Sequence, residues 1–274
     1  MKILLYVCLS LAGLLLLWVL ALCAKRKKKG FYGFLAYTYA HRGLHNSKEG
    51  IPENSLGAFH RAAQCGYGAE LDVHLSKDGR LVVIHDESLL RTAGEDRNIC
   101  DLTEKELSAY RLEGTEEPIP YLEQVLEVFR GKAPLVIEIK TKGSNASQLT
   151  EKVCRMLDEY PDVRYCIESF DPRVLVWLRK HRPTIIRGQL SCNFVRERNN
   201  LALPLAFLLT NLLGNFLTLP HFVAYKLEDR KNLSFRLCRL IWGVQEINWT
   251  ITRQEDAKEA SKDGRGVIFE HCRP

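Results

Sequence analysis

No C-x-x-C pair and no metal-finger spacing occurs among the nine cysteines of this 274-residue chain. That excludes a zinc ribbon or finger, and the odd, scattered set reads as reduced thiols packed as small apolar side chains. No stripe of Lys and Arg with interleaved aromatics appears in the domain, so the charge gives no case for nucleic acid and none is expected as a partner. The formal charge of +6 is local, because Lys25, Arg26, Lys27, Lys28 and Lys29 supply most of it. No internal repeat is present, and no low-complexity segment beyond the leucine-rich start.

Charge is absent altogether from Ile3 to Ala24. About 20 apolar residues cross a bilayer, whereas signal-peptide cores run to about 7–15. Only Lys2 and the amino terminus precede the stretch, and five cations follow it. Cytoplasmic flanks collect Lys and Arg, so the expectation is a single-pass membrane protein whose catalytic domain faces the cytoplasm. A cleaved leader using Cys23 is the competing reading, but Leu22 is bulky for the usual small-residue cleavage position. The expected divisions are 1–24 as transmembrane anchor, 25–36 as basic juxtamembrane linker and 37–274 as catalytic domain. Sequons at Asn145, Asn232 and Asn248 matter only if that topology is wrong. Charge is missing again over Asn199–Tyr225. A second transmembrane span is the lesser alternative, because Pro204, Asn211, Asn215 and Pro220 interrupt the stretch; it is read as buried against the domain or in shallow membrane contact near the mouth of the site.

The rest alternates between strand and helix. Strand candidates are Tyr37–Gly43, Gly68–Leu75, Leu81–Asp86, Leu135–Lys140, Tyr165–Phe170, Ile185–Ser191, Phe222–Leu227, Glu246–Ile251 and Gly266–Glu270. Helical patterns cover Asn54–Cys65, Ser147–Glu159, Pro172–His181 and Arg253–Lys262. This rhythm predicts a parallel sheet of the α/β class. The turn Ser76–Arg80 is too short for a helical crossover, so Gly68–Leu75 and Leu81–Asp86 are expected to meet as a hairpin, leaving one strand peripheral. A longer excursion follows from Glu87 to about Pro134, with a helix start at Asp101-Leu102-Thr103-Glu104.

Five patches carry chemistry: Ala40-His41-Arg42-Gly43, Pro52-Glu53-Asn54-Ser55, Glu70-Leu71-Asp72, His85-Asp86 and Glu138-Ile139-Lys140. Glu70 and Asp72 point to one strand face and repel unless protonated or metallated. Glu138 is a charge inside an apolar strand, costly without a partner. Three oxygen donors suit one divalent metal ion, Mg²⁺ or Ca²⁺. His41 and His85 end strands and suit proton transfer. Arg42 offers a planar fork for phosphate, and Lys140 shares the face of Glu138. Asp86 either orients a histidine or caps the next loop; Asn54 either borders the metal or caps the helix after it. Trp249 offers a shelf for the alcohol part of a substrate. His45, His60, His74, His181, His221 and His271 lack this company and are read as surface or structural, although His74 shares the face of Asp72. The inventory suits cleavage of a phosphate ester.

In order and wording these patches resemble the glycerophosphodiester phosphodiesterase family, from about Tyr37 to Pro274. The tail Trp249-Thr250-Ile251 and Gly266-Val267-Ile268-Phe269-Glu270 matches too, with Phe269-Glu270 where many members carry Thr-Asp. The resemblance implies a TIM-like (β/α)₈ barrel, irregular near the second and third strands and preceded here by one N-terminal transmembrane helix. It implies hydrolysis of glycerophosphodiesters to glycerol 3-phosphate and an alcohol. Glu70, Asp72 and Glu138 would hold the metal, His41 and His85 the protons, and Arg42 and Lys140 the phosphate. The alternative substrate is a lysophospholipid still in the membrane, cleaved by lysophospholipase D chemistry. A barrel without turnover, serving as membrane scaffold or lipid sensor, is the rival of another class; the intact set of acids, bases and cations argues against it.

Overall fold

The structure is a computed structural model that describes residues 1–25, 32–197 and 201–274. The basic run Arg26–Lys29 with Gly30 and Phe31 lies outside the described residues, as do Asn199 and Asn200 at the head of the second uncharged stretch. An apolar helix, Lys2–Ala21, comes first. A nine-stranded sheet follows, with β1 (Thr38–Ala40), β2 (Gly68–Leu75), β3 (Leu81–Val83), β4 (Leu135–Ile139), β5 (Tyr165–Ser169), β6 (Arg187–Ser191), β7 (Phe222–Lys226), β8 (Gln245–Ile251) and β9 (Gly266–Phe269). All nine expected strands form. β1 pairs in parallel with both β2 and β9, closing a barrel from every strand but β3. β3 runs antiparallel on β2, with Val73 opposite Val83, as the short turn requires. In that turn Gly79 sits at φ +86°, open to glycine at little cost.

The excursion after β3 holds short helices over a satellite core of Val82, Ile84, Leu89, Ile99, Leu102, Leu107, Leu112 and Ile119. Its expected helix start forms, but as the four-residue helix Glu104–Leu107, with a capping box between Thr103 and Glu106. The helix Leu56–Gln64 is capped by the Ser55 hydroxyl on Ala58 N, so Asn54 is not its cap.

Alternation along the strands sorts the barrel interior. Tyr39, Val136, Cys166, Leu190, Phe222, Ala224, Ile247 and Ile268 form one interior cluster. Below it, the short helix Tyr32–Leu35 covers the floor, where Phe34 and Leu35 pack and Tyr39 Oη donates to Phe34 O at 2.8 Å. Because strand side chains repeat every second residue, the next interior layer toward the strands' C-terminal ends is fixed. It holds His41 above Tyr39, Glu138 above Val136, Glu168 above Cys166, Lys226 above Ala224, Trp249 above Ile247 and Glu270 above Ile268.

Candidate active site

That layer opens into a cavity of about 640 Å³ whose lining divides by chemistry. One side carries His41, Arg42, Glu70, His85, Glu138, Lys140, Glu168 and Glu270. The other carries Phe170, Leu190, Phe194, Leu201 and Trp249, and with them the ion pair of Lys226 and Glu197 at 2.7 Å. All eight residues singled out in the sequence therefore belong to one site: seven line the cavity, and Asp72 lies buried behind it.

The parallel register of β2 and β4 sets Asp72 beside Glu138. Glu70, Asp72 and Glu138 are buried, and one oxygen from each lies within 4.8 Å of the others. Burial pushes the Glu70 carboxyl well above its usual range, and the charges of Asp72, Glu138 and Glu168 push it further. Burial likewise raises Glu138 to about 7, against the pull of Lys140. Asp72 goes the other way: burial opposes its ionisation, but Lys140, His85, Arg42 and the Asn54 amide together hold it well below the carboxylate range. Three buried acids at this spacing fit a hard divalent cation, which would offset their mutual repulsion.

Lys140 Nζ sits 3.0 Å from Glu138 Oε1 and 3.1 Å from Asp72 Oδ1. Burial disfavours its charge, but these two carboxylates outweigh it and keep the ammonium protonated. Arg42 occupies the left-handed region at φ +55°, a strained conformation that turns its N–H onto Glu70 Oε2 at 3.1 Å. The next residue must be glycine: Gly43 has φ +80°, and a Cβ there would lie 2.8 Å from the Ala58 Cβ. Arg42 Nη1 donates to both Glu53 oxygens, at 2.9 and 3.0 Å, and Arg91 shares that carboxylate at 2.6 Å. Asn54, at φ +54°, donates to Asp72 Oδ2 at 2.9 Å, so its place is beside the acidic cluster.

Both histidines are held through Nδ1. His41 Nδ1 meets Glu270 Oε2 at 2.9 Å, and its Nε2 faces Glu70 Oε2 at 3.9 Å. His85 Nδ1 meets Asp86 Oδ1 at 2.5 Å, and Arg91 Nε fixes the other Asp86 oxygen at 2.5 Å. Asp86 thus orients the histidine rather than capping a loop. Burial lowers the pKa of both rings. A ring that donates Nδ1–H to a carboxylate presents Nε2 for proton transfer, as acceptor when neutral and as donor when protonated.

Sequence reasoning missed Glu168, Glu197, Lys226 and Glu270 in the cavity lining, and the two histidines outside it that hold Glu270. Glu270 is ionised well below the usual range because, although burial opposes it, His41 and His45 hold its charge. His45 Nε2 lies 3.3 Å from Glu270 Oε1 and His271 Nε2 3.0 Å, so these two are not the isolated histidines expected. Glu168 is the register partner of Glu138 and is kept protonated by burial and the charge of Glu138. Its signal was legible: a lone acid in the apolar strand Tyr165–Ser169, the pattern that singled out Glu138. His74 is structural, as expected, with Nε2 3.1 Å from His85 O and burial pulling it down to about 4.

Residues 41–232 match the family model described as the glycerophosphoryl diester phosphodiesterase family. The chain belongs to this family. It is 34% identical over 241 residues to a glycerophosphodiester phosphodiesterase of Caldanaerobacter subterraneus subsp. tengcongensis, covering 84% of this chain and 91% of that one. It is also 36% identical over 159 residues to the Rattus norvegicus lysophospholipase D GDPD1, over 53% of this chain and 48% of that protein. Among solved structures, an Oleispira antarctica phosphodiesterase in complex with the product sn-glycerol-3-phosphate superposes with a TM-score of 0.69 at 25% identity, covering 87% of this chain and 94% of that one. The chain is thus a phosphoric diester hydrolase of the glycerophosphodiester phosphodiesterase type.

Proposed function

We propose that this enzyme hydrolyses glycerophosphodiesters to glycerol 3-phosphate and an alcohol, with Glu70, Asp72 and Glu138 holding one Mg²⁺ or Ca²⁺ and His41 and His85 moving the protons. The observation that carries it is the convergence of three buried carboxylates within 4.8 Å beside two Nδ1-anchored histidines. The cation, when bound, polarises the phosphoryl oxygens and offsets the carboxylates' charge. One histidine Nε2, unprotonated, takes the proton from the attacking water or hydroxyl as its oxygen bonds to phosphorus; the P–O bond to the alcohol breaks, and the other histidine, entering the step protonated at Nε2, gives that proton to the departing alkoxide. Lys140 and Arg42, both lining the cavity, hold the phosphate. Trp249, fixed by Nε1 on Ala224 O at 3.1 Å and packed edge-on to Phe170, walls the alcohol side.

The alternative, a lysophospholipid substrate, is favoured by the apolar half of the cavity and by the likeness to a lysophospholipase D. Residues 37–274 form the catalytic domain in this reading, behind an uncleaved anchor and the 25–36 linker, with the domain in the cytoplasm. Lys2–Ala21 is apolar and long enough to cross a membrane. Leu22 and Ala24 are buried in the domain, which argues against cleavage beside Cys23.

The test is a turnover screen of glycerophosphodiester headgroups and lysophosphatidylcholine under Mg²⁺, Ca²⁺ and Mn²⁺. Glu70→Ala is expected to lose both metal binding and activity, and His41→Ala to lose activity by about 10²–10⁴-fold while binding metal normally. Full activity in a chelator would refute the metal assignment. Preference for the acylated substrate would make the alternative the function.

A further inference from the structure

The mouth-side flank of the barrel bears an apolar face that neither the core nor the reaction uses. In the helix Leu203–Thr210 only Ala206 and Thr210 are buried, while Leu203, Leu205, Phe207 and Leu208 stand 45–54% exposed. Leu233 extends this face at 57%. A helix on a water-facing surface turns its apolar stripe inward and polar residues outward; this one has no charged residue to turn.

Hydrogen bonds place the helix at the level of the mouth. Ser191 Oγ, at the C-terminal end of β6, donates to Leu209 O at 3.0 Å. Tyr225 Oη, near the same end of β7, donates to Thr210 O at 2.8 Å. Leu201, just before the helix, lines the catalytic cavity. The N-terminal helix comes in at this level too. Trp18 Nε1 donates to Ser234 Oγ at 3.1 Å, and that hydroxyl donates to Asn211 Oδ1 at 3.0 Å. From there the chain descends: Leu22 packs with Leu212, Val223 and Phe235, and Lys25 N donates to Pro220 O at 2.9 Å, beyond the opposite end of β7. The exposed part of the N-terminal helix therefore leaves on the mouth side, next to Leu203–Thr210.

We propose that Leu203–Thr210 and Leu233 seat on the bilayer itself, as an interfacial face that holds the mouth of the barrel against the lipid. This rests on the reading of Lys2–Ala21 as a membrane span. A span fixed to the flank through Trp18 and Leu22 brings whatever surrounds its exit to the headgroup–acyl boundary, where an uncharged apolar face is stabilised. Continuity with the span, rather than exposure alone, selects lipid as the occupant. Leu201 and Phe194 then carry the apolar surface from the bilayer into the cavity.

The experiment reconstitutes the full chain in phosphatidylcholine vesicles doped with a phosphatidylcholine carrying an acyl-chain diazirine, irradiates it, and maps the labelled peptides. Label is expected on Lys2–Ala21 and on Leu203–Thr210. Phe207→Glu, at an exposed position, is expected to cut the second label by about tenfold with the melting temperature unchanged, because a charge is expelled from the interface. Label on the span but not on Leu203–Thr210 overturns the proposal, and a dimer in light scattering of the detergent-solubilised chain would then assign the face to a second copy. Label on neither segment overturns the span reading and the proposal together.

Discussion

His41 owes its chemistry to a residue at the far end of the chain. Glu270 accepts from its Nδ1 at 2.9 Å, which fixes the ring's tautomer and leaves Nε2 toward the acidic cluster. Replacing that carboxylate by Glu270→Gln keeps the shape and removes the charge. Turnover is expected to fall by about 10–100-fold, as such orienting partners do when lost, with metal affinity retained and the pH–rate profile displaced. An unchanged profile would deny Glu270 this role. The proposed metal ligands make a second expectation. Glu138 is raised to about 7 and Glu70 well above its usual range, so protons compete with the cation for these oxygens up to neutrality. The sign follows: binding releases protons, so affinity strengthens as pH rises and weakens by at least about tenfold per unit below about pH 7. Calorimetric titration of Mg²⁺ between pH 5 and 8 checks this, and a flat affinity would count against the assignment of Glu70, Asp72 and Glu138. At this scale the sequence exposed residues that break a local rule, such as acids in apolar strands and histidines at strand ends. It hid those whose meaning comes from a distant partner, as with His45 and Glu270.

At the scale of elements, the two histidines are carried differently. His41 extends a barrel strand, whereas His85 follows β3, which hangs on β2 outside the ring. Ile84 N donates to Asp72 O at 3.1 Å, and the Ile84 side chain is buried in the satellite core. Ile84→Ala is therefore expected to cost about 2–4 kcal/mol, the usual penalty for emptying a packed site. It should also lower turnover by letting His85 drift, while leaving metal affinity intact. Urea denaturation and calorimetry read these separately, and equal loss of metal binding would contradict the division. The hairpin was legible because Ser76–Arg80 leaves no room for a crossover. Within the excursion beyond it only the helix start at Glu104 was legible, because, apart from Leu122–Phe129, its helices are a turn or so long and take their shape from the small core they enclose.

At the scale of the whole molecule, alternation of strand and helix made the barrel readable: all nine strands were visible, and three of them, Tyr37–Gly43, Leu81–Asp86 and Leu135–Lys140, ended in chemistry. What a single sequence could not decide was the destination of the uncharged stretch before Tyr225, since apolar composition alone does not separate a buried helix from one lying on lipid. One consequence of the chain's path remains. From Trp18 to Lys25 the polypeptide runs down the outside of β7, and by Phe34 it lies under the floor before entering β1. A pull on residues 1–17 is thus absorbed by Ser234, Trp242, Pro220 and their neighbours on that flank. Under the proposed anchoring, the strand that carries His41 is mechanically shielded, so a sideways drag through a fluid lipid sheet is not felt at the mouth of the barrel.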